Sequence, residues 1–381
     1  MSGDGAPLRG GDAFATKAVH AGLEPDPHYG SVIPPIHQTS TYAQAAVGAF
    51  VEDYDYSRSA NPTRAALERA LGELEGGHAA AFASGMAATH AVITAVCSAG
   101  DHVVLPNDLY GGTYRLVDKV LSRWGLSYDL VDQTDLDALA AAVRDETRLI
   151  WVETPTNPLL NVVDVEGVVA RRGRALVAVD NTFATPVNQR PLELGADLVV
   201  HSTTKYLGGH SDTIGGAAIA RDTEWHERIR FVQNAVGAVP APVDCFLVHR
   251  GLRTLDLRMR AHAESAAAVV AFLERADGVT DVRWPGFSGM VGFRHPAAVE
   301  IAGSTRLFTL AESLGGVESL IEVPAAMTHQ SVEGSDAAVP PDFVRLSCGI
   351  EAPEDLVDDL RAAFARAGAG AQRSAAGQAI R

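Results

Sequence analysis

Six short, mostly apolar runs mark the middle of the chain: Ala79–Ala83, His102–Leu105, Leu149–Val152, Leu176–Val179, Leu198–His201 and Ala217–Ala220. Strands covered on both faces of a parallel sheet read this way, as near-continuous hydrophobic stretches. Segments of helical spacing separate them. In Arg64–Gly76, for instance, Leu67, Ala70, Leu71 and Leu74 recur on one face, and Gly76-Gly77 stops the helix. The alternation predicts an α/β unit with a mostly parallel central sheet.

The flanks read differently. The opening dozen residues are Gly/Ser/Asp-rich and predict disorder. From there to about Arg58 the chain is rich in Pro, Thr and Tyr without a sustained period, as expected of an extended arm. A long helical stretch runs from Arg250 to about Ala276, and strand candidates follow at Val282–Trp284, Leu307–Leu310 and Phe343–Ser347. This predicts an N-terminal arm (1–60), a large domain (61–250) and a smaller C-terminal α+β domain (251–381). The Ala/Gly/Ser-rich tail from about Gly368 is expected to fray. No internal repeat is visible.

Composition narrows the function classes. With 31 basic against 47 acidic residues the net charge is −16, which repels nucleic acid backbones and anionic lipids. No basic-then-apolar segment opens the chain and no apolar run is long enough to span a bilayer. The three cysteines, Cys97, Cys245 and Cys348, are scattered in apolar surroundings, with neither disulfide nor zinc spacing. A soluble cytoplasmic enzyme without nucleic acid or membrane partners is the expectation. The 13 histidines include His201 and His210, which lack carboxylate or cysteine partners at metal-ligand spacing.

Ligands of open α/β sheets gather at the carboxyl ends of the strands. After the first run comes Ser84-Gly85-Met86, opening a helical segment whose free N–H groups suit an anion. After the fourth comes Asp180, and after the fifth His201-Ser202-Thr203-Thr204-Lys205. Each has an ordinary reading alone: a steric glycine, a turn-capping carboxylate, a solvated lysine. Together they supply what pyridoxal phosphate (PLP) needs. Gly85, Met86, Ser202 and Thr204 can cradle a phosphate, Lys205 can form an imine, and Asp180 can keep the pyridine nitrogen protonated.

The ordered motifs YSRSANPTR (Tyr56–Arg64), SGMAAT (Ser84–Thr89), DLYGGTYR (Asp108–Arg115), ETPTNP (Glu153–Pro158), VDNTFATP (Val179–Pro186), HSTTKYLGGHSD (His201–Asp212), AESLGGVESL (Ala311–Leu320) and VRLSCGIE (Val344–Glu351) carry a resemblance. The chain resembles the Cys/Met-metabolism PLP family of trans-sulfuration enzymes, from about Thr16 to Leu360. The resemblance implies an aminotransferase-like (fold type I) architecture. It also implies that Lys205 carries the cofactor and shuttles protons, that Asp180 pairs with the ring nitrogen, and that Tyr110 stacks over the ring and helps deprotonate the incoming amine. Gly85, Met86, Ser202 and Thr204 are implied as phosphate ligands. Tyr56 and Arg58 are implied to reach the phosphate of a neighbouring subunit, which makes a homo-oligomer with shared sites, a tetramer by analogy. Arg345, with Asn157 and Ser313, is implied to grip the substrate carboxylate.

Two positions bear on the reaction. Gly112 stands where typical methionine γ-lyases carry a reactive cysteine. Glu312 stands where enzymes of cystathionine resemble this chain, and it could meet a distal ammonium while Arg115 meets a distal carboxylate. A structural Glu312–Arg115 ion pair is the competing reading. The expectation is γ-elimination from a sulfur amino acid, giving 2-oxobutanoate, ammonia and a thiol, with cystathionine γ-synthase or methionine γ-lyase chemistry as alternatives. An aminotransferase of the same fold would share Asp180 and Lys205 but not the YSRSANPTR and AESLGG segments. The chain departs from the family where Trp284-Pro285-Gly286-Phe287 runs almost directly into Ser288-Gly289-Met290, and where Ala60 replaces a glycine.

Overall fold

The computed structural model describes residues 12–52, 54–328 and 339–378, with the side chains beyond Gly368 left aside. Among the described residues twelve strands form two sheets: β1 (His78–Phe82), β2 (His102–Pro106), β3 (Ser127–Val131), β4 (Thr147–Glu153), β5 (Leu176–Asp180), β6 (Leu198–His201), β7 (Gly216–Ala220), β8 (Thr280–Arg283), β9 (Met290–Arg294), β10 (Thr309–Leu310), β11 (Leu320–Glu322) and β12 (Phe343–Ser347). The first sheet has the order β1-β7-β6-β5-β4-β2-β3, with β7 antiparallel to both neighbours and the others parallel. The second has the order β10-β11-β12-β9-β8.

All six runs expected between 79 and 220 are strands, because each is buried along nearly its whole length. The seventh, β3, escaped the sequence pattern. Its SYDLV residues are only partly buried, as befits the sheet's edge. Helices start where their caps predict. Asn61 Oδ1 accepts from the N–H groups of Thr63 and Arg64 at 2.9 and 3.3 Å, ahead of Pro62, and Gly76 ends helix Pro62–Glu75 with φ 82°.

Several boundaries differ from expectation. The helix expected from Arg250 is two, Pro242–Leu252 and Leu255–Leu273. The junction gives up helical bonding so that buried Arg258 can donate to the carbonyls of Gly251 (2.8 Å) and Tyr206 (2.6 Å). The tail is helical from Pro353 through Gln378, where fraying was expected from Gly368. Leu356, Leu360, Ala363 and Ala367 anchor that helix in the core of the second sheet, and the alanine-rich continuation has high helix propensity. The arm contains a helix, Phe14–His20, with Ala18 buried. Apart from Asp12, the Gly/Ser/Asp-rich opening lies outside the described residues.

The shortened segment near Trp284 is a tight hairpin between β8 and β9. Trp284 Nε1 donates to the Ser288 carbonyl at 3.2 Å across it. Strands β9 and β11 were not expected from the sequence, β9 because Gly292 interrupts its apolar run and β11 because it has only three residues. One apolar cluster joins the two sheets through Tyr206, Leu207, Leu252, Leu255, Met259, Met290 and Leu314. Among the described residues, no helix is long and apolar enough to cross a membrane. Nor does any group of three His, Cys, Asp or Glu side chains among them form a metal cluster.

Candidate active site

A cavity of about 270 Å³ opens between the carboxyl ends of the first sheet and the face of the second. From the first sheet it receives Gly85 and Met86 after β1, Tyr110 after β2, Glu153 and Asn157 at the end of β4, Asp180 at the end of β5, and Ser202, Thr204 and Lys205 after β6. The second sheet contributes Arg345 from β12, and the loop after β10 brings Glu312 and Ser313.

The anion end of the cavity is built by close backbone approach. Ser84 caps helix Gly85–Val96, its Oγ accepting from the Ala87 N–H at 3.0 Å. The helix N-terminus therefore faces the loop after β6 with unpaired N–H groups. A Cβ on Gly85 would lie 2.9 Å from Cβ of Ser202, so any side chain there would fill the cradle. Ser202 is held by its N–H bond to Thr182 Oγ1 (2.9 Å), and the Thr204 hydroxyl is bonded to the backbone of Gly215.

Two carboxyl groups stand side by side at the opposite end. Glu153 and Asp180 are register partners on β4 and β5. Burial pushes the Asp180 carboxyl up, and burial together with the Asp180 charge pushes Glu153 well above the usual range. Asp180 Oδ1 accepts from the Thr182 N–H and hydroxyl at 3.1 and 2.6 Å. Behind it, His201 Nε2 meets Glu75 Oε1 at 2.5 Å, and Asn181 Nδ2 donates to the same oxygen at 2.9 Å. A buried, strand-fixed acid pair at a cavity wall is suited to a cationic group.

Lys205 points between these two ends. Its Nζ donates to Ser313 Oγ at 2.6 Å, and burial, reinforced by Arg345, lowers its pKa to about 8. The loop carrying it cannot swing. Gly209 N–H bonds to the Lys205 carbonyl (2.8 Å), and the next side chain, Tyr206, is fully buried with its hydroxyl accepting from Gly289 N–H at 3.0 Å.

Ser313 joins this amine to the far wall. It sits at φ 93°, a conformation that costs a non-glycine residue. Its carbonyl accepts from Arg345 Nη2 at 2.9 Å, while Arg345 Nη1 donates to Asn157 Oδ1 at 2.6 Å. Glu153 completes the circuit, because its two oxygens accept from the N–H groups of Asn157 (2.8 Å) and Tyr110 (3.0 Å).

Three residues singled out in the sequence stand apart from this cavity. Arg58 donates to both the carbonyl and the side chain of Asn234 at 2.9 Å, with its guanidinium 5.8 Å from the ring of Tyr56, which is 47% exposed. Arg115 is exposed and does not line the cavity, whereas Glu312 does. Two residues that the sequence reading missed as site members are Glu153 and Glu322. Glu153 was visible as the first letter of ETPTNP. Glu322 had one signal, a charge inside an apolar strand.

The cysteines carry no chemistry at this site. Burial raises the thiols of Cys97 and Cys245 to about 12 and that of Cys348 as well, so all three stay protonated. Cys97 is only partly buried, less enclosed than its sequence surroundings imply.

The residues present fit PLP: a helix N-terminus opened by Gly85 for the phosphate, an amine of lowered pKa and a buried acid for the ring nitrogen. The comparisons with known proteins agree. The profile of the Cys/Met metabolism PLP-dependent enzymes matches residues 15–365. The chain is 51% identical to a cystathionine gamma-synthase of Mycobacterium tuberculosis, over 96% of this chain and 100% of that one. It is 47% identical to a cystathionine beta-lyase of Lactococcus lactis subsp. cremoris, over 92% and 99%. The crystal structure of a cystathionine gamma-lyase from Lactobacillus plantarum, complexed with L-serine, superposes with a TM-score of 0.91 at 40% identity, covering 94% of this chain and all of that one. This chain belongs to the Cys/Met metabolism PLP-dependent enzymes, a fold type I enzyme of sulfur amino acid metabolism with pyridoxal 5'-phosphate as its cofactor.

Proposed function

We propose that the enzyme works at the γ-carbon of a sulfur-containing amino acid, by elimination in the manner of a cystathionine γ-lyase. The observation that carries this reading is the Lys205–Ser313–Arg345 relay, which sets a weakly basic amine beside a carboxylate fork in one cavity. When bound, PLP supplies an electron sink that makes protons next to the substrate's amino carbon labile.

Lys205 holds the cofactor and, once released, moves the α-proton and then a β-proton. With a pKa of about 8 it is both a competent base and a competent acid near neutral pH. Asp180 balances the ring's positive nitrogen, and Gly85, Met86, Ser202 and Thr204 receive the phosphate. Tyr110, which lines the cavity, would stack against the cofactor and help take a proton from the substrate amine. Arg345, with Asn157 and Ser313, fixes the α-carboxylate, which aligns the α-proton with Lys205. Glu312 meets the distal ammonium of a cystathionine-type substrate and Arg115 its distal carboxylate.

Tyr56 and Arg58 complete the phosphate site of a neighbouring subunit. Their distance from their own cavity supports that reading, and with it a homo-oligomer, a tetramer of two site-sharing dimers. The unpaired cysteines support a cytoplasmic setting.

A second reading is γ-replacement on an O-acylated homoserine with cysteine, favoured by the 51% identity to a cystathionine gamma-synthase. Both use the same residues. Product analysis separates them: incubate the enzyme with cystathionine, with methionine, and with an O-acylated homoserine plus cysteine. Elimination predicts 2-oxobutanoate from cystathionine. Cystathionine formed in the third mixture, with no 2-oxobutanoate from the first, establishes the replacement reading instead.

A further inference from the structure

Arg345 is 3% exposed and Glu322 1%, and they face each other across the β11–β12 ladder as register partners. Side chains opposite one another on neighbouring strands project from the same face. Arg345 Nη2 lies 3.1 Å from Glu322 Oε1, which also accepts from the Thr328 hydroxyl at 3.2 Å. Glu322 Oε2 is buried and has no hydrogen-bond partner among the described residues. A carboxylate kept only for stability would be expected to satisfy both oxygens, because a buried unpaired oxygen is costly.

The position of the pair relative to the cavity is informative. Arg345, Asn157, Ser313 and Thr328 line the cavity, whereas Glu322 does not. Glu322 therefore stands behind the guanidinium, on the side away from an arriving ligand. An arginine bound so that product must later leave cannot present its whole charge in a low-dielectric pocket. A pair of unit charges about 4 Å apart interacts by several kcal/mol at a dielectric of about 20.

We propose that Glu322 is the resident counter-anion of Arg345, a positioning residue that holds the guanidinium from behind and attenuates its field, thereby setting how tightly amino-acid carboxylates are held and how fast they leave. The inference rests on the reading of Arg345 as the carboxylate fork, and does not depend on whether elimination or replacement follows. Its reach extends to Lys205. Arg345 lowers the basicity of that amine while Glu322 and Glu312 oppose it, so Glu322 keeps Lys205 basic enough to accept a proton.

The test uses Glu322→Gln, which keeps shape and the oxygen facing Arg345 but removes the charge, with Glu322→Asp as the graded variant. Butyrate, an unreactive monocarboxylate, is titrated calorimetrically into the holoenzyme of each. The expected result is about tenfold tighter binding in E322Q and a smaller tightening in E322D. KM and kcat for the amino-acid substrate should fall together, as expected when release becomes slow. In cofactor-free protein, the pH midpoint for acylation of Lys205 should move lower in E322Q and less so in E322D. Unchanged or weaker butyrate binding in a folded E322Q, with an unmoved Lys205 midpoint, overturns the proposal and leaves Glu322 a structural brace. Should E322Q not fold, E322D decides by the same two measurements, and no change in either overturns it. Arg345→Leu serves as the separate control: if it binds butyrate like the wild type, the carboxylate-fork reading itself has failed.

Discussion

The ring of Tyr110 occupies the space that a side chain on Gly112 would need, since a Cβ built there lies 2.4 Å from Tyr110 Cε1 and 2.9 Å from Met86 Sδ. Glycine at 112 thus leaves the Tyr110 ring its room beside the cavity. Replacing it by cysteine, the residue typical of methionine γ-lyases at this position, pushes the ring off its place. Gly112→Cys and Gly112→Ala should each lower kcat/KM by about 10²-fold, the usual cost of displacing a positioning group by an ångström. The cofactor's absorbance should shift as stacking is lost. Wild-type kinetics and spectrum in both variants would falsify this account of the ring.

The cradle makes a parallel prediction for binding. A methyl group at position 85 meets Cβ, Cα and Oγ of Ser202 at 2.9 to 3.1 Å. Gly85→Ala should weaken PLP binding more than it lowers stability, because the added carbon enters the space proposed for the phosphate. Equilibrium dialysis of PLP against thermal unfolding of the cofactor-free protein measures the two effects separately.

Asp180 leads to a stronger effect of charge. Removing one member of a buried charge pair typically costs about 3–5 kcal/mol, so Asp180→Asn should weaken PLP by on the order of 10²- to 10⁴-fold. Asp180→Glu retains charge but not reach and should recover part of the loss. Near-normal affinity in the asparagine variant would show that the ring nitrogen has another partner.

Lys205 should leave a signature in the pH dependence of stability. Its folded pKa of about 8 lies below the ordinary 10.5 of an unfolded lysine. Between those values the unfolded chain binds the extra proton, so stability rises with pH across that window. Below about pH 8 the buried ammonium is a fixed burden. Chemical denaturation of the cofactor-free protein from pH 7 to 10.5 should show this rise in the wild type and a smaller one in Lys205→Met.

Site sharing can be tested by complementation. If Arg58 serves a neighbouring subunit, Arg58→Ala and Lys205→Ala chains are each inactive, yet mixing them creates some sites with both groups intact. Random pairing into two-fold dimers predicts recovery of roughly a quarter of wild-type activity. No recovery after verified subunit exchange means that Arg58 acts within its own chain.

The sequence by itself determined six of the seven strands of the first sheet, because short apolar runs between helical segments suit strands covered on both faces, and it marked candidate residues at their ends, because ligand groups gather there. Asp180 and Lys205 were legible in that way as candidates, whereas Arg345, inside β12, was legible only through the resemblance of its VRLSCGIE motif. Edge strand β3 and three-residue β11 were not, since a strand's pattern fades when one face meets solvent or only three residues pair, and β9 was not, since Gly292 interrupts its apolar run. Tertiary structure alone decided that Glu153 ties Tyr110 to Asn157, that Ser313 links Lys205 to Arg345, and that Glu322 stands behind the guanidinium. Those relations join residues up to 108 positions apart, and no local spacing can encode a contact that exists only once two sheets have packed.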